Sequence, residues 1–459
     1  MRDSPTHSTD TSSHHDPNQH RILGIWRPTF YYGWIILAVV FLAEFASSGM
    51  GGLTVALFFP SMGEDTGWSL TQLTGAVTAQ GIAALVISPV IGPLLDRYGA
   101  RPVMLAGALT AGVGMLLMMT IQTVWHYWIL YAIIGALGMG ELGRLSGPIV
   151  VAKWFVRLRG RAMALATSGT TIGGVVMAPI IGILITAFGW RSTWGILGIT
   201  VILMMVPTVA LFMRRQPEDL GLNPDGDPNI LEPTGDKRSQ PAREVVWTLR
   251  EAIRTRSLWV IVISMNLASL SAGGLVYHQV PYFTEQGMSL QGATLVFTIS
   301  MIGGALSRIP WGFLIDRFPV RTCLASAFAI RSVGPLALLV IPFPYNIVPF
   351  VAFWAFLAGS FSLLQPMAFA NYYGRRFMGS IFGTLRPLMS LSQLVGPLFI
   401  AVLFDWTGTF DLALAIVSIL GFLGAAIALL AQPPIHSRNT ATTKSLEMQK
   451  ACSKADLDR

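Results

Sequence analysis

Apolar runs of about twenty residues, separated by short polar or charged turns, recur along almost the whole chain. They fall at 33–59, 72–95, 102–121, 127–152, 160–188 and 192–213. A second set follows at 257–284, 291–315, 322–341, 346–371, 379–404 and 411–431. Each run is long enough to cross about 30 Å of hydrocarbon as a tilted helix. The pattern predicts an all-α integral membrane protein whose twelve transmembrane helices form two pseudo-symmetric six-helix bundles, 31–213 and 257–431. Between them lies a polar stretch, 214–256, in which Pro217, Pro224, Pro228, Pro233 and Pro241 mark a cytoplasmic linker. Its later part, 243–256, alternates charged and apolar positions, as an amphipathic helix on the membrane surface would. Residues 1–30 and 432–459 read as disordered cytoplasmic tails.

A charged turn interrupts the apolar pattern twice in the same way. Gly92-Pro93-Leu94-Leu95-Asp96-Arg97-Tyr98-Gly99-Ala100-Arg101 follows the second run, and Gly312-Phe313-Leu314-Ile315-Asp316-Arg317-Phe318-Pro319-Val320-Arg321 follows the eighth. One Asp-Arg turn is unremarkable. Two, at matching places in the two sets of runs, indicate a duplicated unit.

Composition agrees, since 53% of the 459 residues are hydrophobic and only 12% charged, against about 25% charged in soluble domains. The net charge of +8 would suggest nucleic acid in a soluble protein. Here it follows topology. Of the 31 Lys and Arg, only Arg191 falls in an odd-numbered loop, and Arg144, Arg308, Arg331 and Arg386 lie well inside runs, whereas Arg161 stands at the edge of one beside an even-numbered loop. The rest occupy the tails, the linker and the even-numbered loops, which are therefore expected on the cytoplasmic side of a cell membrane. Two cysteines, Cys323 and Cys452, imply no disulfide framework. Four histidines in the first tail fit a solvated segment better than a metal site. No P-loop, metal-ligand cluster or nucleophile motif is present, so neither an enzyme, a cofactor nor ATP-driven transport is expected.

Charges inside the runs carry the functional information, because each is costly in hydrocarbon. Glu44, Glu141, Arg144, Arg308, Arg331 and Arg386 are the evident cases. Glu141 and Arg144, three apart, share an α-helical face and are expected as a neutralising pair. Four arginines against two glutamates bias the interior positive, which suits an anion, and a guanidinium fork fits a carboxylate. Arg386 opens a polar stripe with Ser390 and Gln393. Arg308 shares one with Ser300 and Gly304, and Asn266 shares one with Ser269, Gly273 and Tyr277. Arg308, Arg386, Asn266, Tyr277 and Gln393 are the candidates for substrate binding, and Arg331, among apolar neighbours, for structure. Glu44, His278 and Glu141 are the candidates for proton coupling.

The paired turns resemble the loop signature of the major facilitator superfamily, whose fold is two six-helix halves. Tyr31-Tyr32-Gly33-Trp34 resembles the opening of its monocarboxylate transporter and oxalate/formate antiporter group. So do Trp154-Phe155-Val156-Arg157-Leu158-Arg159-Gly160-Arg161, Tyr372-Tyr373-Gly374-Arg375-Arg376 and Gln216-Pro217-Glu218-Asp219-Leu220-Gly221. The resemblance implies a secondary transporter of a small organic anion, a mono- or dicarboxylate or aromatic acid, imported with protons and functional as a monomer among membrane lipids. An exchanger or exporter, or a non-transporting sensor on the same scaffold, are the alternatives. Ser307-Arg308-Ile309-Pro310 resembles the segment in which monocarboxylate transporters place a substrate-binding arginine, with Gly304 where they have an aspartate. Gly92, Asp96, Arg97, Arg101, Gly312, Asp316, Arg317 and Arg321 are implied as a cytoplasmic gate. Asp96 is expected to bond to a helix N-terminus, and Arg97 and Arg101 to clamp carboxylates and anionic lipid.

Overall fold

A computed structural model describes residues 30–52, 54–226, 247–358 and 360–434. Among them the regular structure is helical throughout. The spans are α1 (Gly33–Thr66), α2 (Leu70–Tyr98), α3 (Ala100–Leu117), α4 (Val124–Trp154), and α5 and α6, which share one run from Arg159 to Phe212. The second half holds α7 (Arg256–Glu285), α8 (Leu290–Leu306 and Arg308–Arg317), α9 (Val320–Val340), α10 (Ile347–Ala358 and Ser360–Tyr373), α11 (Met378–Thr407) and α12 (Asp411–Leu429).

Local chemistry sets many of these limits. Ser69 and Gln72 form a capping box at the start of α2, satisfying backbone N–H groups that the first turn leaves open. Thr123, Thr255 and Ser289 cap α4, α7 and α8 through their hydroxyls. Gly189, at φ 76°, separates α5 from α6. A side chain there would be strained, so a single glycine makes the junction where a longer turn was expected. Nearby, Arg191 pairs with Asp65 of α1, and Trp190 Nε1 donates to the same carboxylate at 3.2 Å. Of the expected surface helix at 243–256, a short segment, Leu249–Ile253, is helical behind a Thr248–Glu251 capping box. Residues 243–246, like 1–29, 227–242 and 435–459, lie outside the described residues.

Within the halves α1 packs on α5, α3 on α4 and α6, α7 on α11 and α12, and α9 on α10 and α12. Two seams join the halves, α2 against α11 and α5 against α8. Side chains such as Val86, Ile183 and Leu203 point outward and are two-thirds exposed. Only a surface covered by acyl chains leaves so much apolar area uncovered at no cost.

Two spans of the first half depart from α winding. α1 passes through a π-helical turn, Ser48–Gly52, and α4 through a longer one, Ile134–Arg144. They touch each other: Tyr131 Oη donates to the Gly51 carbonyl at 2.9 Å, and Ser47 Oγ to the Met139 carbonyl at 2.8 Å. Such widened turns shift the hydrogen-bond ladder and recur at functional sites. Glu44, Glu141 and Arg144 all sit on or beside them.

Candidate functional site

Glu44 is buried, 4% exposed, on the last regular turn of α1 before the π segment. Its carboxylate accepts from Thr170 Oγ1 of α5 at 3.1 Å. On the α4 side the backbone of Gly147 comes so close that a Cβ there would stand 3.0 Å from Glu44 Oε1. Arg144, Arg386 and Arg308 all lie within electrostatic reach of it. Arg386, on α11, also feels Glu141 and Arg144. Charges from both halves are thus linked electrostatically: Arg144, Arg308 and Arg386 act on Glu44, and Arg386 acts on Glu141 as well.

The expected Glu141–Arg144 pair does not form. In an α-helix positions three apart share a face, but the two residues fall in the π stretch, whose i→i+5 ladder turns them apart. Glu141, 4% exposed, is influenced by Arg386, and its Oε2 has no hydrogen-bond partner among the described residues. Arg144 is exposed and extends along Gly52 of α1. Sequence reasoning singled it out only as the partner of Glu141, not as a neighbour of Glu44. The signal was there in the glycines of Gly135, Gly138, Gly140 and Gly143, which allow irregular winding beside a charge.

Arg308 reaches from the Glu44 group to the α5–α8 seam, and the remaining candidates are scattered. Arg308 follows a break in α8 at Ser307, and its guanidinium donates across the seam to the Thr167 carbonyl of α5. Its Nε lacks a partner among the described residues. Asn266 is engaged on both sides of its amide: Nδ2 donates to the Val262 carbonyl at 2.8 Å, and Oδ1 accepts from Ser392 of α11. It fastens α7 to α11. His278 lies toward the other end of α7, near Phe410, in a pocket shared with Glu285 and Asp405, so it is not part of the Glu44 cluster. The side chains of Tyr277 and Gln393 lie outside the described residues. Arg331 is 6% exposed and stacks 4.3 Å over the Trp354 ring within the second half.

The repeated turns meet at one end of the bundle, here the basic end. Asp96 accepts from the backbone N–H of Gly379 at 3.1 Å, and from the N–H and Oγ of Ser380 at 2.6 and 2.7 Å. Lys153 Nζ stands 3.5 Å away. Asp316 accepts from Gly160 N–H at 2.5 Å and Arg161 N–H at 3.2 Å. Each aspartate therefore caps the start of a helix in the opposite half, α11 or α5, where unpaired N–H groups and the helix dipole favour a negative charge. The backbones must approach closely for this: a Cβ on Gly92 would collide with the Gly379 carbonyl, and one on Gly312 would stand 3.0 Å from Ala164 Cβ.

The carboxylate clamp expected of Arg97 and Arg101 is not seen among the described residues. Arg97 stacks over Tyr98, with its guanidinium 5.3 Å from the ring centroid, and Arg101 donates to the Ala210 carbonyl of α6. Helix N-termini and other cations already partner the aspartates: Lys153 stands 3.5 Å from Asp96, and Arg161 Nε 3.4 Å from Asp316. Arg317 is exposed and Arg321 half-buried. Further bonds bridge the halves there, Arg159 to Asn371 at 2.6 Å and Arg375 to the Lys153 carbonyl at 2.8 Å. From the linker, Glu218 pairs with Arg375. Asp225 accepts three consecutive N–H groups, of Val156, Arg157 and Leu158, at 2.9, 2.6 and 3.1 Å.

Comparison with known proteins places this architecture. The sequence profile of the Major Facilitator Superfamily matches residues 36–293 and 274–454. Monocarboxylate transporter 11 of Mus musculus is 27% identical over 407 residues, covering 84% of each chain. The MFS-type transporter YcxA of Bacillus subtilis is 22% identical over 350 residues, 74% of this chain and 80% of that one. The crystal structure of the E. coli fucose:proton symporter FucP superposes with a TM-score of 0.66 at 13% identity, covering 88% of this chain and all of the other. This chain is thus a multi-pass membrane transporter, not an enzyme, and it belongs to the Major Facilitator Superfamily.

Proposed function

We propose that the protein carries a small organic anion, a mono- or dicarboxylate or an aromatic acid, across the cell membrane by alternating access, together with protons. The observation that carries this reading is the convergence of Arg144, Arg308 and Arg386, drawn from both halves, around Glu44. Guanidinium groups in a water-poor cavity bind carboxylates through short, charge-assisted hydrogen bonds. A pocket for organic cations would have the opposite balance. The names of its relatives, monocarboxylate transporters among them, point the same way.

In this reading Glu44 and the substrate compete for the same arginines. A deprotonated Glu44 neutralises part of their charge. Protonation releases the guanidinium groups to the substrate carboxylate, so proton and anion enter together. Uptake then rises as the pH on the entry side falls. Glu44→Gln mimics the protonated form, and is expected to abolish acceleration by an inward proton gradient while exchange of labelled for unlabelled substrate continues. Continued gradient-driven accumulation by this variant would remove Glu44 from the coupling path.

The basic end is assigned to the cytoplasm, because basic loops are retained there. The two aspartate caps then hold the cytoplasmic gate shut, and Gly92 and Gly312 let it close. The binding step is tested with purified protein and a calorimetric panel of mono-, di- and aromatic carboxylates beside their neutral amides and isosteric amines. Binding confined to the carboxylates supports the proposal, and preference for an amine would overturn it.

A further inference from the structure

The basic end contains a second charged cavity, separate from the cluster around Glu44. It lies over the α2–α11 seam with a volume of about 780 Å³, apart from a groove of about 440 Å³ between α5 and α8. Five cations line it, Arg97, Lys153, Arg215, Arg375 and Arg376, against two anions, Asp96 and Glu218. Lys153 and Arg375 are matched by those two carboxylates, and Arg215 donates to the Asp96 carbonyl at 2.9 Å. Arg97 and Arg376 remain at the rim. Both are exposed, each stacks only on its neighbouring ring, at 5.3 Å from Tyr98 and 5.7 Å from Phe377, and neither has an ion-pair partner among the described residues.

The walls come from both halves. Arg97 and Lys153 belong to the first, Arg376 and Ser380 to the second, and Arg215 and Glu218 to the stretch that follows α6. The bonds from Gly379 and Ser380 to Asp96 join these walls across the seam. The groove between α5 and α8 is lined differently, by apolar side chains such as Leu165, Ile172, Leu306 and Ile309 with Arg161 and Arg308 as its two cations.

We propose that the cavity over the α2–α11 seam is a binding site for an anion bearing two or more phosphate groups, and that its occupancy holds the basic end closed. Three uncompensated positive charges match a diphosphate, and two guanidinium forks on opposite halves suit phosphate oxygens on one ligand. A soluble diphosphate and a lipid headgroup with two phosphates share this chemistry.

The test uses the full chain in phosphatidylcholine vesicles with inorganic pyrophosphate as the probe, against chloride of matched ionic strength. Pyrophosphate is expected to bind and to slow deuterium exchange of the Gly379 and Ser380 amides. Arg97→Gln and Arg376→Gln should each weaken binding roughly tenfold. Arg317→Gln removes the equivalent charge at the repeated turn, outside the cavity, and should leave binding as it is. Weaker pyrophosphate binding in vesicles containing cardiolipin assigns the headgroup to this site, and equal binding assigns the soluble anion. No binding beyond chloride, or equal loss in the Arg317→Gln protein, overturns the proposal. None of these readouts involves transported substrate, so the result stands apart from the proposed function.

Discussion

Arg386→Ala is expected to lower uptake of the proposed carboxylate at least a hundredfold at subsaturating substrate, with yield and helical content as in the parent protein. Arg386 is the arginine within reach of both glutamates and of Arg144, and it sits on the helix that also forms a seam between the halves. Truncating one member of a buried charge pair costs about 3 kcal/mol, or roughly a hundredfold in affinity. The same change leaves Glu44 and Glu141 with less compensation, so the empty carrier also loses its charge balance. Arg331→Met is the informative control. That guanidinium is as deeply interior, but it stacks on Trp354 away from the cluster, and methionine preserves its length. Uptake is expected to persist with a change in Tm alone. Equal loss in both variants would show that any interior arginine matters only for folding, and would remove Arg386 from the site.

The second large effect is expected at the gate. In Asp96→Ala, α11 loses a cap that holds two N–H groups and a hydroxyl, and in Asp316→Ala, α5 loses one that holds two N–H groups. Hydrogen bonds to a charged group contribute about 1.5–3 kcal/mol each, so the closed basic end should lose at least tenfold in population relative to the open one. Deuterium exchange at the start of α11, and at the start of α5 in the Asp316 variant, is expected to rise by that factor. Transport should slow while substrate affinity changes little. Unchanged exchange, with weakened affinity, would contradict the gate and place the aspartates in substrate binding instead.

Much of the fold was legible because hydrocarbon imposes a simple rule: a span must be apolar for about twenty residues and must satisfy its own backbone. Hydropathy reports that rule directly. It is blind to how a span winds. Within Val124–Trp154 only the glycines around Glu141 hint at the π segment, so Glu141 and Arg144 looked like a pair and Arg144 was not a binding candidate. The repeated turns were legible as a duplication. That Asp96 meets a helix start was expected, but not which one, because the N–H groups that Asp96 and Asp316 accept lie in the other half of the chain and any helix start offers the same donors. Arg97 and Arg101 illustrate the limit. Their charge was evident, but whether a guanidinium meets a carboxylate, a ring or a carbonyl depends on what the fold has already placed there. The linker was read as a connector, whereas Glu218 and Asp225 fasten it to both halves.

The most direct test of the central claim is uptake into proteoliposomes of labelled mono-, di- and aromatic carboxylates, each with and without an imposed inward proton gradient. Accumulation of at least one acid above its equilibrium level, driven by the gradient and lost in Arg386→Ala, is the predicted result. Flux that requires a second acid inside would replace symport by exchange. No carboxylate flux from folded protein, or flux indifferent to Arg386, would contradict the account.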